Sequence, residues 1–422
     1  MRILILGGGG REHALARTIA RSPDCAALYV APGNAGIASV AECVALDPAD
    51  LDAVVAWCGS NAMDFVIVGP EAPLAAGLAD RLQAEDIAVF GPSAAAARLE
   101  ASKAFTHEVA DACGAPMAPW ARFTQAAAAK AHLDGRSLPV VVKADGLAAG
   151  KGVVVAETRP QAEAAIDAML GGALGTAGAE VVIEDFMPGE EASLFVISDG
   201  ETVLPLPTAQ DHKRIGDGDT GPNTGGMGAY SPAPVMTPER TELAMERIVR
   251  PLIAEMARRG TPYRGVLYAG LMIGAEGPRL VEINVRFGDP ECQVLMLRLA
   301  CDLLPVLRAA AAGRLGAQRL AWHDTPAITV VMAAEGYPGA YAKGGEIRGL
   351  AEAARVEGVT VFHAGTREEN GRILAAGGRV LNVSATGATL AEARDRAYRA
   401  VDLIDWPDGM CRRDIGWRAL GR

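Results

Sequence analysis

The sequence predicts an α/β protein with a doubly wound parallel sheet in its N-terminal domain and a small α+β domain at its C-terminal end. Four short apolar runs, each followed by Gly or Pro and an Ala-rich segment, indicate βα units with strands near 3–6, 28–31, 65–68 and 87–90. Beyond residue 100 longer helices and Gly-rich turns appear, and β-rich segments predominate after Trp322. Three domains are therefore expected, with bounds 1–101, 102–325 and 326–422.

Length and composition favour a multidomain enzyme. The 422 residues are enough for about three cores. A formal charge of −11 argues against a nucleic-acid partner, since such proteins usually carry a basic face. Seven cysteines without a C-x-x-C pair predict neither a disulfide framework nor a structural zinc site. Because no apolar run is long enough for a signal peptide or a membrane span, we expect a cytoplasmic protein with no membrane partner.

Apolar patterning places further elements along the chain. Strands are predicted at 140–142, 153–156, 181–183, 193–198, 203–206, 266–273, 279–285, 327–332, 359–362 and 379–386. Helices are predicted at 160–170, 238–259, 291–299, 303–312 and 390–403. The polar, Gly-rich stretch from Asp211 to Ser231 has almost no apolar periodicity, which predicts a long functional or disordered loop.

Four glycines, Gly7 to Gly10, follow the first predicted strand and precede a helix. Their amides could cradle a phosphate, or they could form a purely structural tight turn. A dinucleotide fingerprint fails, because Glu12 stands at the third glycine position and Pro32 ends the strand that should carry a ribose-binding acid. Segments 32–36 and 69–71 end the next two strands at the same crevice, which suggests one phosphorylated substrate there.

The segment from Lys143 to Val153, KADGLAAGKGV, carries two lysines around a Gly-rich turn between two strands. It lacks the P-loop pattern, and a strand rather than a helix follows it. A mobile hairpin that closes over a triphosphate is one interpretation. A flexible turn with solvated lysines is the other.

The segment from Leu280 to Gln293 is the most informative. Glu282, Asn284 and Arg286 alternate with apolar residues, so a strand would present all three on one face. A carboxylate, an amide oxygen and a guanidinium suit Mg²⁺ and the phosphate oxygens that it bridges. The alternative is an amphipathic strand with a solvated face. Asp289 and Glu291 follow at once and favour a functional cluster.

Together these motifs resemble phosphoribosylamine–glycine ligases, a family of ATP-grasp enzymes. The phrases GGREHA, VAPGNAG, VGPEAPL, KADGLAAGKGV, QDHKR, DTGPNTGGMGAYSP, RFGDPE and FHAGT follow family order, and CRRDIGW near the end is also similar. The resemblance covers nearly the whole chain. Two departures are Gly8, where the family usually has Asn, and Cys292, where it usually has Thr.

The resemblance implies an ATP-grasp domain at 102–325, with a mobile nucleotide-covering subdomain at about 120–190. It also implies a reaction of purine synthesis in which ATP converts glycine to an acyl phosphate that the amine of 5-phosphoribosylamine attacks. The products would be glycinamide ribonucleotide, ADP and phosphate. ATP and Mg²⁺, or Mn²⁺ in its place, would be needed, and we expect a monomer.

The resemblance also implies a role for each motif residue. Glu282 and Asn284 would bind the metal, and Arg286 would steady the transferring phosphoryl group. Asp211 and Lys213 would complete the catalytic group, although these two and Arg214 could bind either the acceptor or a phosphate. The nucleotide would contact Lys103, Lys143, Gly146, Gly150, Lys151, Gly152, Glu184, Asp185, Phe186, Met187 and Glu191. The other substrates would contact Gly9, Gly10, Arg11, Glu12, Pro32, Gly33, Asn34, Gly69, Glu71, Arg214, Asn223, Gly288, Asp289 and Glu291.

Other classes of function remain as alternatives. A dehydrogenase would bind NAD at Gly7 to Gly10, and a nucleotide sensor would keep Lys143 without glycine-dependent turnover. A neighbouring ATP-grasp enzyme would use bicarbonate or formate in place of glycine. His13, His212 and His363 are expected to be hydrogen-bonding groups rather than general bases, and Cys292 is expected to pack.

Overall fold

The N-terminal part of the chain forms a five-stranded parallel sheet. In the computed structural model, which describes residues 1–148 and 152–421, its strands are β1 (Arg2–Gly7), β2 (Ala27–Pro32), β3 (Glu42–Cys43), β4 (Phe65–Val68) and β5 (Ala88–Phe90). Their order is β3-β2-β1-β4-β5. The four predicted strands are confirmed, and β3, whose two residues are exposed, gives no apolar run that could reveal it.

Helices cover both faces of this sheet. They are α1 (Gly10–Ile19), α2 (Leu51–Ser60), α3 (Glu71–Ala75), α4 (Leu78–Ala84) and α5 (Ala94–Ala101). Ile3 and Ile5 of β1 pack in the core that contains α1, whereas Leu4 and Leu6 pack in the core that contains α2, α4 and α5. A strand buried on both faces needs a continuous apolar run, which explains the sequence of β1. The doubly wound prediction is confirmed.

A small antiparallel sheet follows, in the order β6-β9-β7-β8. The chain first passes through α6 (Lys103–Cys113), and the sheet comprises β6 (Trp120–Phe123), β7 (Val140–Ala144), β8 (Val153–Ala156) and β9 (Val181–Asp185), with α7 (Ala126–His132) and α8 (Arg159–Ala168) packed on it. Thr158 and Gln161 form a capping box that starts α8. β7 carries Lys143 at its carboxyl end, next to the Gly-rich turn.

Six strands lie between residues 190 and 231. They are β10 (Glu190–Asp199), β11 (Val203–Pro205), β12 (Gln210–Asp211), β13 (Arg214–Gly216), β14 (Thr220–Asn223) and β15 (Gly228–Ser231). The prediction of a long loop from Asp211 to Ser231 is therefore wrong. β13 and β14 form a separate hairpin that lies at the surface and needs no apolar face. β15 is four residues long and begins with glycine, too short for periodicity to show.

The second large sheet has the order β11-β10-β16-β17. Two helices, α9 (Pro238–Ala244) and α10 (Arg250–Arg258), joined by a short π-helix (Met245–Val249), precede β16 (Arg264–Gly274) and β17 (Gly277–Asn284). Leu271 and Ile283 of this sheet belong to the same core as Leu4 of the N-terminal sheet. The N-terminal and central parts are thus packed directly against each other.

The last part of the chain adds two helices and an antiparallel α+β layer. The helices are α11 (Glu291–Arg298) and α12 (Leu304–Ala311), followed by β18 (Ala327–Ala334), β19 (Glu346–Ile347), α13 (Leu350–Ala353), β20 (Val359–His363), β21 (Thr366–Glu369), β22 (Arg372–Ala375), β23 (Arg379–Thr386), α14 (Leu390–Val401), β24 (Gly409–Met410) and α15 (Trp417–Leu420). The main sheet has the order β12-β15-β18-β23-β20, with β24 beside β18. Two of its strands thus come from the stretch at 210–231. Within the described part of the chain, no helix is long and apolar enough to cross a membrane.

Candidate active site

One polar cleft lies where the N-terminal sheet, the small sheet, the β10–β17 sheet and the C-terminal layer meet. Its volume is about 400 Å³. The residues predicted from the sequence that line it are Arg11, Glu71, Lys103, Lys143, Gly152, Glu184, Asp211, Lys213, Glu282, Asn284, Arg286, Asp289 and Glu291. Further charged or aromatic lining residues are Glu100, His107, Tyr268, Tyr337 and Arg379. Residues far apart in sequence are therefore brought to one cavity.

Strand β17 and the turn after it supply the centre of the cleft. Glu282, Asn284 and Arg286 line the cleft together, whereas Ile283 and Val285 belong to the buried core, although Ile283 also borders the cleft. This is the period-two pattern of a strand with one solvated face and one packed face. The Asn284 side-chain oxygen accepts from Arg286 Nη2 at 3.1 Å, so the amide and the guanidinium are adjacent.

The Glu282 carboxylate is surrounded by ammonium groups. Lys213 Nζ lies 3.4 Å from Glu282 Oε1 and 3.0 Å from Glu191 Oε2. Lys213, together with Lys143 and Lys103, lowers the pKa of Glu282 to about 2, against the opposing effect of burial. Glu282 is therefore ionised at any pH at which the protein works. Glu191 itself does not line the cleft but borders it through Lys213.

Lys143 forms a buried ion pair with Glu184. Lys143 Nζ is 2.7 Å from Glu184 Oε1 and donates to the Val281 carbonyl at 3.0 Å. His107 Nε2 bonds the same Glu184 oxygen at 2.8 Å, and its ring stacks on Trp120. Burial favours the neutral form of Glu184, but Lys143 and His107 outweigh it and hold the pKa of Glu184 below its ordinary value. The Glu184 carboxylate thus orients Lys143.

Lys103 enters the cleft from the first turn of α6, which Ser102 caps by accepting from the Phe105 amide. Lys103 Nζ lies 3.4 Å from the Gly146 carbonyl. Burial lowers the pKa of Lys103, and Glu282 partly restores it. Gly146 is just outside the lining and Gly152 is part of it, whereas the predicted contacts at Gly150 and Lys151 lie outside the described residues.

Two carboxylates hold Arg286. Glu100 Oε1 accepts from Arg286 Nη2 at 3.1 Å, and Glu71 Oε2 accepts from Arg286 Nε at 3.3 Å. The second Glu100 oxygen accepts from the Val285 amide at 2.7 Å. Burial favours the neutral guanidine, but Glu100 and Glu71 dominate and raise the pKa of Arg286. Glu100 gave no sequence signal, because it stands alone at the end of an Ala-rich helix.

Asp211 and Glu291 form an acidic side of the cleft. Burial raises the pKa of Asp211 to about 7, although Lys213 opposes that shift. Burial also raises the pKa of Glu291, whose Oε1 accepts from the Tyr268 hydroxyl at 2.9 Å. At neutral pH, therefore, Asp211 is partly protonated and can donate as well as accept a hydrogen bond.

At the C-terminal side of the cleft, Arg379 of β23 faces Asp289. Arg379 Nη2 is 3.3 Å from Asp289 Oδ2, and Gln293 donates to Asp289 Oδ1 at 2.8 Å. Burial opposes ionisation, but Arg379 and Arg11 outweigh it and lower the pKa of Asp289. Arg11 also donates to the Phe287 carbonyl at 3.1 Å. Arg379 lies ninety residues from Asp289 in sequence, so no local motif links them.

The Gly-rich turn after β1 is packed around Glu12 rather than open. The Gly9 amide donates to Glu12 Oε2 at 2.7 Å, and Arg11 Nε pairs with Glu12 Oε1 at 2.6 Å. Any side chain at Gly7 or Gly69 would collide with Glu12. The Gly9 N–H that a phosphate would need thus already has an acceptor, and Gly9, Gly10, Glu12 and Gly69 stand behind the cleft wall rather than on it.

Asn34 is also used within the protein. Its Oδ1 accepts from the amides of Gly36 and Ile37, each at 2.9 Å, and its Nδ2 donates to the carbonyls of Gly8 and His363, each at 2.9 Å. Both donor hydrogens and both acceptor positions of the amide are therefore engaged in joining three segments of the chain. The remaining predicted contacts that do not line the cleft are Pro32, Gly33, Asp185, Phe186, Met187, Arg214, Asn223 and Gly288.

His13 and His212 form hydrogen bonds within the protein and Cys292 is packed in the core, as the sequence predicts. His13 Nδ1 accepts from the His363 amide at 2.8 Å, and His212 Nε2 accepts from the Gly416 amide at 3.3 Å. Burial lowers the pKa of both His13 and His212 to about 3. Cys292 is fully buried, and burial raises the pKa of its thiol.

Three family profiles match consecutive parts of the chain. The N domain of phosphoribosylglycinamide synthetase matches residues 1–100, its ATP-grasp (A) domain matches 101–292, and its C domain matches 327–418. These three matches leave residues 293–326 and 419–422 unassigned.

Relatives with established names resemble the chain along its whole length. The phosphoribosylamine–glycine ligase of Mesorhizobium japonicum is 60% identical over 422 residues, which cover 100% of this chain and 99% of the relative. The chloroplastic phosphoribosylamine–glycine ligase of Arabidopsis thaliana is 54% identical over 418 residues, which cover 97% of this chain and 79% of the relative.

Solved structures share the fold. The crystal structure of phosphoribosylamine–glycine ligase from Thermotoga maritima matches with a TM-score of 0.86 and 31% identity, covering 98% of this chain and 100% of the other. A biotin carboxylase from Campylobacter jejuni matches with a TM-score of 0.78 and 14% identity, covering 100% and 95%. The second likeness concerns the fold alone.

Proposed function

The chain belongs to the phosphoribosylamine–glycine ligase family, and from that premise we propose how its cleft carries out the family's reaction. The reaction is the ATP-dependent joining of glycine to 5-phosphoribosylamine through a glycyl phosphate, in purine biosynthesis. Its products are glycinamide ribonucleotide, ADP and phosphate. One observation carries the proposal: Glu282, Asn284 and Arg286 face the same cavity as Lys143 and Lys103.

The nucleotide end of the cleft is assigned to the small sheet. Lys103 and Lys143 neutralise the phosphates, and Gly146 and Gly152, the described ends of the Gly-rich segment, are assigned to the side that covers them. Lys143 is well suited to this because Glu184 and the Val281 carbonyl fix its ammonium group, so little rotamer entropy is lost when a phosphate binds. The base is assigned to the segment 184–187 and the ribose hydroxyls to Glu191, which lies next to Lys213.

Glu282 and Asn284 fit a divalent metal, and we assign Mg²⁺ to them. They offer one carboxylate and one amide oxygen, the hard ligands that Mg²⁺ accepts, and Mg²⁺ usually takes its other ligands from water and substrate phosphates. No group of three or more His, Cys, Asp or Glu side chains within residues 1–148 and 152–421 is arranged to hold a metal by itself, in keeping with a metal that arrives with ATP. When bound, the ion would neutralise charge on the β- and γ-phosphates.

The remaining residues act on glycine and on the amine. A carboxylate is a poor electrophile, so phosphorylation converts glycine to a mixed anhydride with a good leaving group. Arg286, fixed by Glu100 and Glu71, stabilises the charge on the transferring phosphoryl group. Asp211 and Lys213 lie beside that position. Arg11, Glu71, Asp289 and Glu291 form the side of the cleft that we assign to the acceptor amine.

The test is ADP release in a coupled assay that compares glycine, alanine and bicarbonate in the presence of phosphoribosylamine. Of the three carboxylic acids, only glycine is expected to support turnover. Turnover with bicarbonate would indicate the alternative ATP-grasp reaction. Glu282→Gln should lower turnover at least about a hundredfold with folding unchanged, because a metal ion supplies several kcal/mol of charge stabilisation. Glu276→Gln, an exposed carboxylate in the turn of the same β16–β17 hairpin, is the matched control.

A nucleotide sensor would bind ATP without glycine-dependent turnover, so the same assay separates it from the ligase. A dehydrogenase would bind NADH. We expect a titration of this protein with NADH to show no binding. The choice of Mg²⁺ over Mn²⁺, the monomeric state and the cytoplasmic location stay predictions from the sequence.

A further inference from the structure

The β13–β14 hairpin connects directly to the cleft at both of its ends. Lys213 precedes β13 and Thr224 follows β14, and both line the cavity. The Lys213 carbonyl accepts from the Thr224 amide at 2.8 Å and from the Thr224 hydroxyl at 2.9 Å. The position of the hairpin therefore constrains, from the C-terminal side of Lys213, where its ammonium group can reach.

The hairpin has little packing of its own. Its two strands form a separate two-stranded sheet, and Asp217, Gly218 and Gly221 are exposed. A two-stranded hairpin without a hydrophobic face is at best marginally stable in water. Another part of the chain must therefore hold it in place.

That part is residues 411–418, called here the C-terminal segment, which contains the phrase CRRDIGW and Arg418. None of these residues lines the cleft. Arg412 Nη1 donates to the Arg214 carbonyl at 3.0 Å and to Asp219 Oδ1 at 2.9 Å. The Arg413 amide donates to Asp217 Oδ1 at 2.9 Å. The Gly218 amide donates to Asp414 Oδ2 at 2.8 Å, so the first strand and the turn of the hairpin are held.

Arg412 is the centre of this contact. Its side chain is fully buried, and two hydrogen bonds to Asp414, at 2.8 and 2.7 Å, fix its guanidinium group. Asp219 also pairs with Arg418. A buried guanidinium is stable only when its charge and its donors are satisfied, so Arg412 requires the hairpin where it is.

We propose that the C-terminal segment is a clamp that positions the β13–β14 hairpin, with Arg412 as a positioning residue that sets the location of Lys213 in the cleft. The proposal rests on the proposed function, in which Lys213 lies beside the phosphoryl group. The clamp acts from outside the cavity. Residues 411–418 would thus influence the reaction without contacting the substrates.

The experiment combines Arg412→Met with two readouts. Hydrogen–deuterium exchange of the segment 213–224 should accelerate while exchange of the β1 and β16 strands stays as in the wild type. The kcat/KM for glycine should fall between about tenfold and about a hundredfold, because a misplacement of about 1 Å distant from the chemistry can have that effect. Arg413→Ala is the matched control, since that side chain is exposed and pairs with Asp402 rather than with the hairpin.

A double substitution distinguishes positioning from a general loss of stability. If Arg412 acts through Lys213, Arg412→Met should change kcat/KM by less than about threefold in a Lys213→Ala background, because effects along one route are not additive. Additive losses, or wild-type exchange of segment 213–224 in Arg412→Met, would overturn the clamp.

Asp219→Asn is the second variant, since Asp219 is only partly buried and its replacement should leave folding intact. It should accelerate exchange of the hairpin in the same place, to a smaller extent. If Arg412→Met loses protection throughout the chain while Asp219→Asn behaves like the wild type, Arg412 is merely structural and the clamp is wrong. Failure of the proposed function appears differently, as absence of glycine-dependent turnover in the wild type, and the exchange readout does not depend on it.

Discussion

Replacing Lys143 by Met should destabilise the folded protein by about 3–5 kcal/mol, because it leaves a carboxylate buried without its main counter-charge. The side chains of Lys143 and Glu184 are 4% and 3% exposed, and their charged atoms are 2.7 Å apart. After the substitution, Glu184 keeps only His107 as a charged or polar side-chain partner among its described contacts.

A second substitution tests whether the unpaired Glu184 carboxylate causes this loss of stability. Glu184→Gln in the Lys143→Met background removes the stranded charge, so the double variant should be about 2–3 kcal/mol more stable than the sum of the two single losses predicts. The free energies of unfolding come from urea denaturation at neutral pH, followed by circular dichroism. Additive losses would show that the two charges do not interact and would refute the reasoning.

The pH dependence supplies an internal check. Lys143 keeps the pKa of Glu184 below its ordinary value of 4.5. The contribution of the pair is therefore present above about pH 4.5 and is lost as the pH falls through the lower pKa of the folded state. The stability gap between the wild type and Lys143→Met should accordingly be wide at pH 7 and narrow in acid. Lys130→Met, which breaks an exposed pair with Asp167, is the control and should cost no more than about 1 kcal/mol.

Three more predictions follow from single side chains. Burial raises the pKa of Asp211 from 3.8 to about 7, so the wild type loses stability as the pH rises from 4 to 7 and the Asp211 side chain loses its proton. Asp211→Asn cannot lose a proton, so the free energy of unfolding of this variant minus that of the wild type should increase between pH 4 and pH 7. A difference that does not change with pH would contradict this. Glu100→Gln should loosen Arg286 and lower kcat about tenfold to a hundredfold in steady-state assays while ATP affinity, measured by calorimetry, stays within about twofold; an unchanged kcat would exclude the positioning role. Mass spectrometry after iodoacetamide treatment should find Cys292 unmodified in the native protein and modified after denaturation, and early labelling would show that it is not buried.

The sequence predicted best those features that repeat locally. Glu282, Asn284 and Arg286 could be placed on one face because side chains alternate along a strand, and the structure puts them in one cleft. The parallel N-terminal sheet could be predicted because strands buried on both faces need unbroken apolar runs, such as Ile3 to Leu6.

Features that arise from long-range packing could not be predicted in this way. Glu100 and Arg379 reach the cleft from an Ala-rich helix and from a distant strand, and neither stands in a charged motif. The β13–β14 hairpin could not be predicted from the sequence for a related reason. It is held by polar contacts with Arg412 and Asp414, about two hundred residues away, so its own sequence shows no apolar alternation.

The glycines of the first turn illustrate a different difficulty. A run such as Gly7 to Gly10 suits an anion site and a crowded turn equally well. The structure shows that Glu12 fills the space beside Gly7 and accepts from the Gly9 amide. The sequence does not show where the Glu12 side chain lies, and substrate contact at Gly9 and Gly10 stays a prediction.

The measurement that tests the account most directly is oxygen tracing through one turnover. If glycine is phosphorylated in the cleft and the amine then displaces phosphate, glycine labelled with ¹⁸O in both carboxylate oxygens must transfer one labelled oxygen to each phosphate released. Mass spectrometry of the phosphate should find that single label, and the product amide should keep the other. Unlabelled phosphate would mean that no bond forms between the glycine carboxylate and the γ-phosphorus, and it would contradict the roles assigned to Glu282, Asn284 and Arg286.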